Sequence, residues 1–455
     1  MKKAKKHKKA KSTEVHALLG KHFGKRRLDE LTTSTRVFPA TARVDLQVAL
    51  GELLTAKYTV AKLVGVHRKW SHDTLNFPQL VTPGAYAAVV GPLQYEEEDL
   101  GNEQSVRCLK TGLWLCAEGK EPFAVLAAPV KRYDDGGGVH LEIAVAPGET
   151  GAEMAQRFLR ELEERVCRAG TYRGKVLSLE AESDYRGRAA GLRVHKVRAV
   201  SREEVILPEK TLALLERNIL RFTSQRPRLR ALNLPVKKGL LFYGPPGVGK
   251  THTIHYLAGA LSGHTTLLIT AGQVGLLGEY MQLARFLQPA VVVIEDADLI
   301  ARDREDMHNV CEEALLNKLL NEMDGLREDA EIFFILTTNR PEALEAALKS
   351  RPGRIDQAIE FPLPDEVGRR KLVQLYARGL ALTDGLADTI VRRTERGSAA
   401  LIKELMRRSA QFALESSRDS ELQLADIEGA LEEMLFSGGS LNATLLGMSG
   451  SGEET

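Results

Sequence analysis

The stretch Gly239-Leu-Leu-Phe-Tyr-Gly-Pro-Pro-Gly-Val-Gly-Lys-Thr251 is where the fold is read most directly. Its second part, Gly244–Thr251, fits the phosphate-loop pattern G-x-x-x-x-G-K-[ST], and the apolar run before it reads as a buried strand. Beyond the loop, Ile254, Leu257, Ala258 and Leu261 recur at helical spacing, so a helix is expected to start at Lys250. Strand, loop and helix in that order make a phosphate cradle. Glycines let backbone N–H groups turn inward, the helix N-terminus adds partial positive charge, and Lys250 adds a full one. The expected nucleotide contacts run through Gly244, Pro245, Pro246, Gly247, Val248, Gly249, Lys250, Thr251 and His252. The Thr251 hydroxyl is a candidate magnesium ligand. These residues imply a nucleoside triphosphate held with Mg2+.

Working outward, short apolar strands alternate with helical stretches from Pro235 to about Pro364. They are Leu240–Tyr243, Leu267–Thr270, Val291–Ile294, Ile332–Leu336 and Ile359–Phe361. The alternation predicts an α/β fold, a P-loop three-layer arrangement with a parallel sheet between helices. Val291-Val-Val-Ile294 runs into Glu295-Asp296-Ala-Asp298, which places carboxylates at the C-terminal edge of a strand, beside the loop. Of Glu295 and Asp296, one can hold the metal and the other can polarise an attacking water. Acids opening a helix are the plainer alternative. Phe334-Ile-Leu-Thr-Thr-Asn339 ends a strand in an amide suited to the lytic water or the terminal phosphate, although Asn is also common in turns. Arg351-Pro-Gly-Arg354 sets two guanidiniums around a tight turn. A surface turn is the commoner use of such a sequence; stabilising charge on a γ-phosphate, in trans, is the sharper one.

The remaining chain sets the bounds. Its 455 residues suggest two or three domains. Charged and hydrophobic fractions of 27% and 43% are those of an ordinary globular protein. A net charge of +2 argues against one dominant polyanion partner. Met1–Lys11 nevertheless holds seven lysines, and Lys25-Arg-Arg27 follows. Residues 1–28 therefore read as a basic, disordered tail, with contact to nucleic acid or an anionic surface as the alternative. No aromatic residue interleaves the first lysines. No apolar core of signal-peptide kind follows them, and no stretch approaches the ~18 apolar residues of a membrane span. Cys108, Cys116, Cys167 and Cys311 lack metal-ligand spacing, which suggests a reduced, cytoplasmic compartment.

Residues 29–200 are expected to form a separate N-terminal α/β domain for a client or adaptor. Within it Val139, Leu141, Ile143 and Val145 alternate as in a half-buried strand, and Met154, Phe158, Leu162 and Val166 mark an amphipathic helix. Phe123–Ala128 and Val176–Leu179 read as further strands. His67, Trp70 and His72 read as an ordinary surface loop, and Asp134-Asp-Gly-Gly-Gly138 as a hairpin tip. Residues 201–365 then hold a linker and the large nucleotide-binding subdomain. Residues 366–437 form a C-terminal helical lid, and 438–455 a Gly/Ser-rich disordered tail.

Taken in order, these motifs make the region from about Val200 to Phe436 resemble an AAA ATPase module. The resemblance rests on the Walker A loop Gly244–Thr251, the Walker B strand Val291–Asp296 and Leu315-Leu-Asn-Lys-Leu-Leu-Asn-Glu-Met-Asp-Gly325. Thr337-Thr-Asn339 with Arg340-Pro341, and Arg351-Pro-Gly-Arg354 ahead of Ile359-Glu-Phe-Pro-Leu-Pro-Asp365, complete it. The linker Val205-Ile-Leu-Pro208 and the Glu-Asp order at 295–296 are similar to the mitochondrial Rieske-protein translocase branch. The Arg-Pro-Gly-Arg turn looks like proteasomal, severing and metalloprotease relatives. The resemblance implies that Lys250 contacts the β/γ-phosphates, Thr251 the Mg2+, and that Glu295 and Asp296 share metal positioning and water activation. It makes Asn339 a sensor and sends Arg351 and Arg354 to the neighbouring subunit's ATP, hence a homo-oligomeric ring, a hexamer.

Three departures stand out. The acids are reversed, leaving a shorter Asp where a Glu normally polarises water. Gly275-Leu-Leu-Gly278 stands where threading relatives carry an aromatic pore loop, with Leu276 as the residue left to grip polypeptide. No sensor 2 arginine opens the lid helix near Thr394–Leu401, although Arg396 and Lys403 are close. The expected function is ATP hydrolysis at subunit interfaces that remodels or unfolds a protein client. The alternatives are a nucleic-acid-associated ATPase, suggested by the lysines, and a slow ATP-binding switch or scaffold, suggested by the swapped acids. No H-E-x-x-H motif supports a protease within the chain.

Overall fold

The computed structural model of this chain describes residues 14–68, 73–84, 87–100, 105–130, 138–181, 189–299, 330–342 and 354–435, with 319, 321–323, 325 and 344 between them. Outside the described residues lie the lysine-rich start, Trp70 and His72, residues 134–137 of the expected hairpin tip, most of Leu315–Gly325, Arg351 and the Gly/Ser-rich end. The chain divides into two units. One comprises residues up to Tyr172 with Leu179–Val194, the other Arg173–Ser178 with His195 onward.

In the first unit the strands are β1 (Thr32–Pro39), β2 (Thr59–His67), β3 (Val89–Gly91), β4 (Tyr95–Asp99), β5 (Ser105–Leu109), β6 (Gly112–Glu118), β7 (Glu121–Pro129) and β8 (Gly138–Val145). Six make an antiparallel sheet ordered β1-β8-β7-β6-β2-β3, and β4 pairs with β5 as a separate hairpin. The alternation in β8 suggested a half-buried strand, yet Leu141–Val145 are all buried because both faces of the sheet are covered. Glu142 is enclosed with them, its carboxylate accepting the Phe77 N–H at 2.7 Å. The helix Glu149–Arg168 buries Met154, Phe158, Leu162 and Val166, the face its period marked. His67 Nε2 donates to the Pro92 carbonyl at 3.2 Å.

The basic segment before residue 28 needs correction. Val15–Phe23 is a helix whose Val15, Leu19 and Phe23 are buried in the core of this unit, and Arg26 pairs with Glu121. Charge counting missed an apolar stripe at steps of four, which is enough to dock a short helix. Burial pushes the Cys108 thiol up to about 11 and that of Cys116 up to about 12, so both are inert packing residues.

The second unit contains the first residues of β9 (Val176–Ala181), whose neighbour β10 (Ala189–His195) belongs to the first unit up to Val194, followed by β11 (Lys238–Tyr243), β12 (Thr265–Ile269), β13 (Ala290–Ile294), β14 (Ile332–Thr338) and β15 (Gln357–Glu360). The last five lie in the order β12-β13-β14-β11-β15, every pair parallel. β13 and β14 are buried along their whole length, as parallel strands under helices on both faces must be. Val176 and Leu177 pair with Thr266 and Leu267, so the first residues of this strand join the nucleotide-domain sheet, not the N-terminal domain to which they were assigned. Their short apolar run fits either sheet; only pairing distinguishes them. Before β11, Glu209–Ala231 is helical with a π-turn over Glu216–Arg221, and it buries Leu212, Leu215 and Ile219 against β11, β13 and β14.

Among the described residues four helices end the unit: Glu366–Tyr376, Asp384–Arg393, Ala399–Glu415 and Leu424–Leu435. Asp365, Thr383 and Ser398 cap three of them, each side-chain oxygen accepting a first-turn N–H. Leu386, Ile390, Leu401, Leu405 and Ile427 fill the core between them. Among the described residues no helix is long and apolar enough to cross a membrane.

Candidate nucleotide site

β11 lies between β14 and β15, so the loop after Tyr243 leaves the sheet where its connections diverge in opposite directions, which opens a crevice at the strand ends. Two glycines shape it. Gly244 has φ +146°, and a Cβ there would sit 2.1 Å from the Phe361 carbonyl oxygen. Gly247 has φ +76°, and a Cβ there would sit 2.9 Å from both the Ala400 Cβ and the Ser398 Oγ of the lid. The Gly247 carbonyl accepts the Ala400 N–H at 3.0 Å, so loop and lid meet at backbone distance. The helix Lys250–Ala260 then begins at the lysine.

Lys250 is 8% exposed. Its ammonium donates to the Gly244 carbonyl at 2.7 Å, the Pro245 carbonyl at 2.9 Å and Asn339 Oδ1 at 2.8 Å. Burial pushes its pKa down to about 8, while Asp296 and Asp298 pull it partly back. A buried cation held by three neutral oxygens is poised to exchange them for an anion.

The two acids have separate partners. The Thr251 hydroxyl donates to Glu295 Oε1 at 2.9 Å, whereas the Asn339 amide donates to Asp296 Oδ1 at 3.2 Å. Asp296 has φ +50°, a left-handed conformation unusual for a residue with a Cβ. Its N–H donates to Thr337 Oγ1 at 3.0 Å. Among the described residues no cluster of three or more His, Cys, Asp or Glu could hold a metal alone. One hydroxyl and one or two carboxylates are what Mg2+ takes from a protein when phosphates and water complete its shell, so the residues present fit the ion.

Of the remaining candidates, Val248 is buried while Pro246 and Gly247 are exposed at the loop surface. His252 turns away from the loop, its Nε2 lying 3.3 Å from the Glu204 carbonyl oxygen in the linker. Arg354 stands by Gly239, whose Cβ, if present, would meet the Arg354 carbonyl oxygen at 2.0 Å. Gly239 is at the opposite end of β11 from the phosphate loop, roughly 16 Å away at strand rise. Arg354 is therefore not gathered with Lys250, Glu295, Asp296 and Asn339, and Arg351 lies outside the described residues.

Leu276 requires correction too. It is 2% exposed as the last residue of the 3-10 turn Ala271–Leu276, just ahead of the helix Leu277–Phe286, so it is not offered to a polypeptide. Sequence reasoning also missed a small cavity of about 10 Å3, room for about one water, lined by Ile206, Leu207, Val248, Leu372 and Ala399, where linker, loop and lid converge. The linker stretch Val205–Pro208 was its only local signal.

Residues 240–363 match the model of the ATPase family associated with various cellular activities (AAA). The chain is similar to the 26S proteasome regulatory subunit 6A of Encephalitozoon cuniculi, at 31% identity over 50% of this chain and 59% of that protein. It is similar to an ATP-dependent zinc metalloprotease FtsH 2 of Salinibacter ruber, at 32% identity over 48% of this chain and 34% of the relative. The proteasome-activating nucleotidase of Methanothermobacter thermautotrophicus is 31% identical over 46% of this chain and 54% of its own length. The chain thus spans about a third to three fifths of these relatives. With the loop, the parallel sheet and the family match in one place, this chain carries an AAA ATPase domain.

Proposed function

We propose that the domain hydrolyses ATP with Mg2+ at contacts between copies of the chain, and that the cycle remodels a protein client. The observation that carries the chemistry is the division of partners, Thr251 with Glu295 and Asn339 with Asp296. Thr251 and Glu295 then hold the metal. Asp296 and Asn339 face the attacking water, the amide orienting it and the carboxylate accepting its proton. Bound Mg2+ supplies charge neutralisation on the phosphates. Lys250 binds the β/γ-phosphates, and Gly244, Gly247, Val248 and Gly249 present their backbone N–H groups to them.

Arg354, set at the far end of β11, cannot serve its own loop and completes the pocket of a neighbouring copy, with Arg351 beside it. This arrangement requires a closed ring, for which a hexamer is the reading. Remodelling is supported by the kind of relatives matched, among them a proteasome-activating nucleotidase. Since Leu276 is buried, client contact is assigned to the first unit. A slower, switch-like cycle is the second reading, favoured by the short Asp296 and by a lid helix that opens Ala399-Ala-Leu without an arginine.

The test is turnover in purified variants. Lys250→Ala loses ATP binding, and Asp296→Asn binds ATP but loses turnover. Mixing Arg354→Ala with Lys250→Ala recovers part of the activity that each lacks. Wild-type turnover by Asp296→Asn would remove the acid assignment, and full activity of Arg354→Ala as a monomer would remove the shared pocket.

A further inference from the structure

We propose that Asp298 is a positioning residue of this site, fixing the sensor amide of Asn339 and the acid Asp296 on one rigid corner; the inference rests on the ATPase chemistry proposed above. β13 and β14 are adjacent parallel strands with Ile294 opposite Leu336, and the chains beyond them carry the two groups that must face one water. The corner after β13 is tied back to the end of β14. Asp296 N–H donates to Thr337 Oγ1 at 3.0 Å and Ala297 N–H to the Thr337 carbonyl at 2.8 Å. Asp298 Oδ1 accepts the Thr338 hydroxyl at 2.8 Å and the Asn339 N–H at 3.2 Å. Asp298, Thr337 and Thr338 are 2%, 2% and 0% exposed. In so dry a place, each bond resists exchange with water.

The corner needs these ties. A left-handed backbone is disfavoured for a residue bearing a Cβ, and Asp296 is held so at φ +50°. The Asn339 side chain is already divided, its oxygen accepting from Lys250 and its nitrogen donating to Asp296. It contributes nothing to fixing its own backbone, which Asp298 holds. Loss of the Asp298 carboxylate frees the Asn339 N–H and the Thr338 hydroxyl together, and the amide drifts relative to Asp296. A shift of about 1 Å in such a constellation can cost about a hundredfold in rate.

Steady-state ATPase kinetics of the full chain decide it. Asp298→Ala is expected to lower kcat by about 10- to 100-fold while KM for ATP changes by less than about twofold. Asp298→Asn, which keeps an acceptor oxygen in the same place, recovers most of that loss. Thr338→Val removes one tie and lowers kcat in the same direction, and Thr338→Ser restores it; this pair decides the matter should Asp298→Ala not fold. Wild-type kcat in both Asp298→Ala and Thr338→Val overturns the inference. So does equal impairment of the Ala and Asn variants, or a KM that rises in step with the fall in kcat. Absence of Lys250-dependent turnover in the wild type is a different result: it removes the ATPase reading itself, and this role with it.

Discussion

Raising the pH from about 7 to about 9 is expected to weaken ATP binding about tenfold through one proton on Lys250. The ammonium of the empty protein is 8% exposed, and burial pushes its pKa down to about 8 from the ordinary 10.5. A bound triphosphate sets anionic oxygens beside it and returns that pKa upward. Above about pH 8, therefore, the empty protein must take up a proton to bind. Affinity is flat well below that value, halved near it, and falls about tenfold, or ~1.4 kcal/mol, for each further unit.

The same displacement has the opposite sign for folding. Between about 8 and 10.5 the unfolded chain holds the proton that the empty folded protein has released, so stability rises with pH there, by up to about 3 kcal/mol. Falling affinity with rising stability distinguishes this from general alkaline denaturation. Titration with a fluorescent ATP analogue checks the first arm, and calorimetry in two buffers of different ionisation enthalpy counts the proton. Affinity that stays level from about pH 7 to about pH 9, or that falls with the same slope in Lys250→Arg, refutes the reasoning.

Two further outcomes are expected. Leu276→Ala should lower unfolding free energy by about 2–5 kcal/mol, because its side chain is 2% exposed; an unchanged melting temperature with lost client handling would place it on the surface instead. His264 is buried, with Arg226 Nη1 3.3 Å from its Nε2; burial first, then that guanidinium, depress its pKa below the ordinary 6.5. The unfolded imidazole thus protonates first as pH falls, so this contribution is present above about 6.5 and lost below it. His264→Gln keeps an acceptor for Arg226 without titrating, and should lose less stability between about pH 7 and pH 5. Parallel acid-unfolding curves for variant and wild type would exclude this.

The fold class was legible because it is written in local patterns. Gly244–Thr251 after an apolar run, and five apolar runs at α/β spacing, each signal through residues a few positions apart. The positions of Lys250, Glu295, Asp296 and Asn339 were legible for the same reason. What each acid touches was not. Thr251 meets Glu295 across 44 residues and Lys250 meets Asn339 across 89, and both depend on the order and register of β11, β13 and β14. Burial of Leu276, docking of Val15–Phe23 and the pairing of Val176 with Thr266 are of the same kind. Composition and periodicity report which face of an element is apolar. Which neighbour covers that face, and which donor meets which carboxylate, is decided only when distant strands are set side by side.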